Sequence, residues 1–155
     1  MVIKDQKEAL CVACEMERRA IRTYERTLLI VTDEAVAQAV RKILGDEREH
    51  LRRFMEMKND TGCIVDNEER LIIAALGAEA LFPGGVMEFA RKDGLSSVRG
   101  LYTFARDSED DALHNYNSFA ERCDDPKVKE AFRAIAREEA KHLASLNAAL
   151  KEMEG

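Results

Sequence analysis

The sequence has no Trp, only 2 Pro, 8 Gly and 3 His in 155 residues. So little Gly and Pro leaves too few turn signals for a many-stranded sandwich or barrel, which needs one every ~8–12 residues. Positive charge is in deficit, with 24 Lys and Arg against 30 Asp and Glu and a formal net charge of −6. No basic stripe offsets that balance, so neither a nucleic-acid partner nor a membrane surface is expected. No apolar run approaches the ~18 residues that cross a bilayer. The start, Met1-Val2-Ile3-Lys4-Asp5-Gln6-Lys7-Glu8, is charged and lacks the apolar core of an export signal. A cytoplasmic protein is the expectation. Cys11, Cys14, Cys63 and Cys123 are even in number, but such a chain has no need of disulfides, and they read as thiols.

What is present is helix-forming. The composition is 46% hydrophobic and 35% charged, rich in Ala, Leu, Glu, Lys and Arg, at a length that suits one domain with its own core. Four stretches carry the 3.6-residue apolar period: about Lys7 to Val31, Glu34 to Met57, Ser96 to Arg122, and Pro126 to Met153. Thr32-Asp33 supplies the first turn and an N-cap, and Asp124-Asp125-Pro126 the second. Asn59-Asp60-Thr61-Gly62 stops the second stretch. A structureless loop of some 35 residues is rare in a compact domain, so the segment between reads as a crossover with its own helices. Asn67 to Phe82 forms one, broken by Pro83-Gly84-Gly85, and Val86 to Lys92 a shorter one. Leu71 to Leu76 within it would cap the bundle or form a dimer contact. The expected organisation is one domain over 1–155: a hairpin at 7–58, a crossover at 59–95 and a hairpin at 96–153.

Both apolar stripes carry Glu where a core helix should show Leu. Glu17 stands seven residues before Tyr24, and Glu109 seven before Tyr116. Glu47-Arg48-Glu49-His50 and Glu139-Ala140-Lys141-His142 are both Glu-x-x-His. Each of these residues in the second half lies 92 positions after its counterpart in the first, as does Asp125 after Asp33. One helical hairpin is used twice. Each Glu lies roughly 22 Å along its helix from its turn, so partners in an antiparallel hairpin are level. Residues three apart share a helix face, so each His points where its Glu points. Four carboxylates and two imidazoles can therefore meet at one height.

Such a cluster cannot be buried bare, because like charges repel and an isolated carboxylate in low dielectric costs several kcal/mol. Two divalent cations would offset four Glu, with neutral imidazoles completing the set. Carboxylate with imidazole suits Fe, Mn or Zn better than Ca or Mg. One Glu from each of two helices plus Glu-x-x-His from each of the others is the ferritin-like di-metal arrangement. The third His, His114, lacks the pattern and reads as a rim residue.

In these motifs the sequence resembles the rubrerythrin-like branch of the ferritin-like superfamily, over roughly 7–58 and 96–153. The resemblance implies an all-α ferritin-like four-helix bundle with a centre of two iron ions (Mn or Zn being the alternatives). It implies Glu17, Glu47, His50, Glu109, Glu139 and His142 as ligands, and places Tyr24 and Tyr116 near the cluster; packing alone would also explain the tyrosines. Spacing does not say which Glu bridge the metals. Many rubrerythrins carry a further carboxylate one turn after the third-helix Glu, where this chain has Ala112, with Ala20 as its repeat partner. The redox-linked ligand change that uses it is not expected here. A rubredoxin domain needs two Cys-x-x-Cys pairs, and only Cys11-Val12-Ala13-Cys14 is present. That pair reads as two small thiols on a helix.

The resemblance implies a non-haem di-iron oxidoreductase that reduces H2O2 or O2, or oxidises Fe(II). It would be a homodimer taking electrons from a separate donor such as a rubredoxin-type protein. Bacterioferritin-like iron storage is the alternative, although haem-binding bacterioferritins carry Met where Arg48 stands. A helical module with structural metals is another.

Overall fold

A computed structural model describes residues 3–60 and 98–154. They form four helices: α1 (Gln6–Ile30), α2 (Glu34–Asp60), α3 (Val98–Ala120) and α4 (Pro126–Glu154), with no strand among the described residues. Local chemistry sets the starts. Asp5 accepts from the Glu8 amide at 2.9 Å and Asp33 from the Val36 amide at 3.0 Å. At α4, Asp125 accepts from the Lys127 amide at 2.8 Å, and Pro126 occupies the first position, where an amide hydrogen would be wasted. The end of α3 tightens into three-residue steps, Glu121 to Ser118, Arg122 to Phe119 and Cys123 to Ala120. The regular helix therefore stops two residues before the periodicity predicts. The expected crossover helices at 67–82 and 86–92, the 71–76 apolar run and Cys63 lie outside the described residues.

α1 packs on α2 and α3 on α4 as antiparallel hairpins, with α1 beside α3 and α2 beside α4. Tyr24 meets Glu109 while Tyr116 meets Glu17, so α1 and α3 run in opposite directions. His50 with Glu138 and His142 with Asp46 show the same for α2 and α4. The two hairpins are therefore related by an approximate twofold across the bundle. α2 and α3 therefore run the same way.

Two apolar layers enclose a polar middle. One gathers Leu10, Val12, Cys14, Met16, Phe54, Tyr116, Phe119, Phe132 and Ile135. Phe54 packs against Phe132 and Tyr116 with ring centroids 5.1 and 5.2 Å apart. The other gathers Tyr24, Val40, Ile43, Leu44, Tyr102, Leu146 and Leu150. Cys11, Cys14 and Cys123 are buried. Burial pushes the Cys123 thiol up to about 11, and its sulfur donates to the Phe119 carbonyl at 3.3 Å. In the native protein Cys123 should alkylate about a hundredfold more slowly than an open thiol at pH 8, and the gap should close in denaturant. Peptide mass spectrometry after timed iodoacetamide treatment measures this; equal rates would contradict the buried placement.

Candidate metal centre

Glu17 comes from α1, Glu47 and His50 from α2, Glu109 from α3, and Glu139 and His142 from α4. All six are buried between the apolar layers. The bundle brings them together as two groups of four, Glu17–Glu47–His50–Glu139 and Glu47–Glu109–Glu139–His142. Within each group the ligand atoms lie within 4.8 Å of one another. Glu47 and Glu139 belong to both groups, whereas Glu17 and Glu109 each belong to one. Glu47 Oε1 lies 3.6 Å from His50 Nδ1 and 3.3 Å from His142 Nδ1. Glu139 turns Oε1 to His50 Nδ1 at 2.5 Å and Oε2 to His142 Nδ1 at 3.7 Å. The two Glu-x-x-His carboxylates thus stand between the imidazoles, with Glu17 and Glu109 at the flanks.

The atoms facing the centre are left without hydrogen bonds: Glu17 Oε2, Glu47 Oε1, His50 Nδ1, Glu109 Oε2, both Glu139 oxygens and His142 Nδ1. The close approach of His50 Nδ1 and Glu139 is a crowding of unaligned atoms rather than a bond. Buried polar atoms without partners cost ~1–3 kcal/mol each, so seven aimed at one space need something there. Two oxygen- and nitrogen-seeking dications fit that donor set.

Four other polar atoms of the cluster are held from outside. The Tyr24 hydroxyl donates to Glu109 at 2.8 Å and the Tyr116 hydroxyl to Glu17 at 2.6 Å, each across from one hairpin to the other. His50 Nε2 lies 2.7 Å from Glu138 Oε2, and His142 Nε2 lies 2.8 Å from Asp46 Oδ2. Such carboxylates fix the ring orientation and tautomer and aim Nδ1 inward. Sequence reasoning missed Asp46 and Glu138. They are themselves 92 residues apart, each just before its Glu-x-x-His, so the same subtraction would have found them.

Electrostatics describe a site that protons must stabilise when metals do not. Burial, then repulsion by Glu109, pushes Glu47 and Glu139 well above the ordinary carboxylate range. Glu109 moves down: burial opposes this, but the adjacent Glu139 and His142 and the hydrogen bond from Tyr24 outweigh it. Burial pulls His50 down, yet Glu17 and Glu47 push it up to about 9, and His142 is raised in the same way by Glu109, Glu139 and Glu47. Burial followed by the adjacent carboxylate charge raises both tyrosines, so their hydroxyls remain donors.

The remaining residues singled out by sequence lie away from this arrangement or at its edge. His114 is exposed and pairs with Asp110 at 3.2 Å. Arg48 is exposed and pairs with Glu25 at 3.1 Å. Ala112 is buried and Ala20 half-buried, and both line a small cavity of about 10 Å³ with Met16, Ser108, the tyrosines and the four Glu. No helix among the described residues is long and apolar enough to cross a membrane.

Residues 102–155, which carry Glu109, Tyr116, Glu139 and His142, match the rubrerythrin family model. No curated protein and no solved structure matches the chain. The first hairpin repeats those residues 92 positions earlier in the same geometry. The second hairpin is thus similar to the rubrerythrin family over about a third of the chain, and it is doubled within one all-α bundle, consistent with a ferritin-like fold, around a buried Glu and His cluster.

Proposed function

We propose that the protein is a non-haem di-iron oxidoreductase that reduces hydrogen peroxide, with O2 as the poorer oxidant. Glu17, Glu47, His50, Glu109, Glu139 and His142 would hold the two metal ions, with Glu47 and Glu139 common to both groups. The observation that carries this reading is the pair of four-residue groups sharing two carboxylates, with seven inward atoms that have no other partner. Two iron ions side by side supply two electrons, the number that peroxide reduction consumes.

The chain's own residues do the rest. Tyr24 and Tyr116 hold the flanking Glu109 and Glu17 by one oxygen each, leaving the other free to face inward. Asp46 and Glu138 keep both imidazoles aimed at the centre. The apolar layers exclude bulk water above and below. The cavity at Ala20 and Ala112 has about one water's worth of space, too little for an organic substrate. Electrons come from a separate donor, and the working form is a homodimer.

Stopped-flow oxidation of the reduced, iron-loaded protein tests the assignment. H2O2 should oxidise it at least about tenfold faster than O2 at equal concentration. Equal or reversed rates would turn the reading to ferroxidase chemistry of the iron-storage kind, and zinc retained through iron-replete preparation, without turnover, to a structural metal.

A further inference from the structure

The 92-residue repeat makes the two halves of the centre alike, so departures from it show where they differ. Around the inward ligands it holds throughout: Glu for Glu, His for His, Tyr for Tyr. Around the outer carboxylates it breaks. Glu138, which holds His50, is itself gripped by Arg53, with Nη2 at 3.2 Å from Oε2 and Nη1 at 3.4 Å from Oε1. The position 92 residues after Arg53 is Ser145. Asp46, which holds His142, therefore lacks the guanidinium that its counterpart has. Asp46 and Glu138 line the same open depression of about 260 Å³ between α2 and α4, with Lys42, Lys141 and Ser145, and neither lysine forms an ion pair with Asp46.

We infer that the two metal subsites are made unequal by Arg53: the subsite of His142 binds a dication more tightly than the subsite of His50. This rests on the proposed di-metal reading. The chain His50–Glu138–Arg53 ends in a cation, which neutralises the carboxylate behind the imidazole and places positive charge against the incoming ion. The chain His142–Asp46 ends in a bare carboxylate, which leaves its imidazole the stronger donor. Arg53 and Glu138 are both partly solvated, at 30% and 42% exposure, so the difference is tempered by water. It amounts to about tenfold in affinity, as expected for one unit charge acting through a half-wet pair. Arg53 is a positioning residue in this scheme, acting on the metal only through Glu138 and His50. The consequence is ordered loading, with the His142 side filling first.

Titrating metal-free protein with Co(II), followed by calorimetry and visible absorption, tests this without turnover. The wild type should bind two equivalents in two resolved steps. Arg53→Ser should raise the weaker step about tenfold and merge the two. Ser145→Arg should weaken the tighter step by a similar factor and also merge them. Arg53→Lys should retain the wild-type separation. Both positions lie at the surface of the bundle, and unchanged far-UV circular dichroism checks the fold; if one exchange does not fold, the other decides. Two equivalents bound by the wild type, with both step affinities in both variants within twofold of the wild-type values, would overturn the inference and leave the di-metal reading standing. A fall in the weaker step on Arg53→Ser would overturn it too, showing that Arg53 acts by fixing Glu138 in place. Fewer than two equivalents bound by the wild type would overturn the di-metal reading, and the inference with it.

Discussion

Glu139→Ala should abolish binding of both metal equivalents, whereas Glu17→Ala should abolish one. Glu139 and Glu47 belong to both four-residue groups, and the two oxygens of Glu139 face different imidazoles. Removing either shared carboxylate would take a ligand from both groups at once. Glu17 belongs only to the group of His50, so its loss leaves Glu47, Glu109, Glu139 and His142 in place. Loss of a directly coordinating carboxylate should exceed the ~10–100-fold cost of losing an outer partner. Retained affinity would therefore fall beyond ordinary loading conditions. The stoichiometry after iron or manganese loading, by elemental analysis, reads the difference directly. Identical losses in the two variants would refute the shared-ligand assignment.

A stability measurement separates this effect from misfolding. In metal-free protein, both Glu139 oxygens are buried without a partner among three other carboxylates. The isosteric Glu139→Gln should raise the melting temperature of the metal-free form while lowering metal affinity. A gain of about 1–3 kcal/mol is the scale for relieving one such buried charge. Function and apo-stability are opposed at this position, as expected where a site is built for a ligand.

The second large effect is on pH. Metal-free protein should lose stability as pH rises from about 5 to 9, and metal-loaded protein should not. The signs of the main shifts agree. Glu47 and Glu139 have folded-state pKa values raised above the unfolded ones, so the fold favours their protonated forms and loses stability as they ionise. His50 is raised to about 9, so its contribution is complete below about 6.5 and is lost as pH climbs through 9. That residue alone is worth about 3 kcal/mol across this window. Glu109, held low, works in the opposite sense and is lost only as pH falls below the ordinary carboxylate range, which sets the acid limit. Bound dications replace the protons and remove the slope. Melting curves with and without metal at pH 5, 7 and 9 provide the check. A metal-free form that gained stability toward pH 9 would contradict the electrostatics described above.

The helices and the donor set could be read from the chain because both rest on local periodicity. Apolar spacing marks the four helices, and Asp33 and Asp125 mark the turns. A constant offset of 92 turns two unremarkable Glu-x-x-His motifs into one repeated design. Asp46 and Glu138 obey the same offset and were equally legible, but an acidic residue in a chain with 30 of them attracts no notice until it stands behind an imidazole.

Other features depend on which helix lies beside which. Spacing places Tyr24 on the stripe of Glu17, yet its hydroxyl reaches Glu109 on the other hairpin, because α1 and α3 pack antiparallel. The same reversal sends His50 to Glu138 and His142 to Asp46. It also decides that Glu47 and Glu139 are shared while Glu17 and Glu109 flank. The elements, their caps, the twofold repetition and the six inward residues could all be read from spacing, since each follows from distance along a helix. The partners across the bundle, the sharing within the carboxylate set and the uneven surroundings of the two imidazoles came from helix packing. Those properties arise from the packing of helices far apart in the chain, which no local pattern encodes.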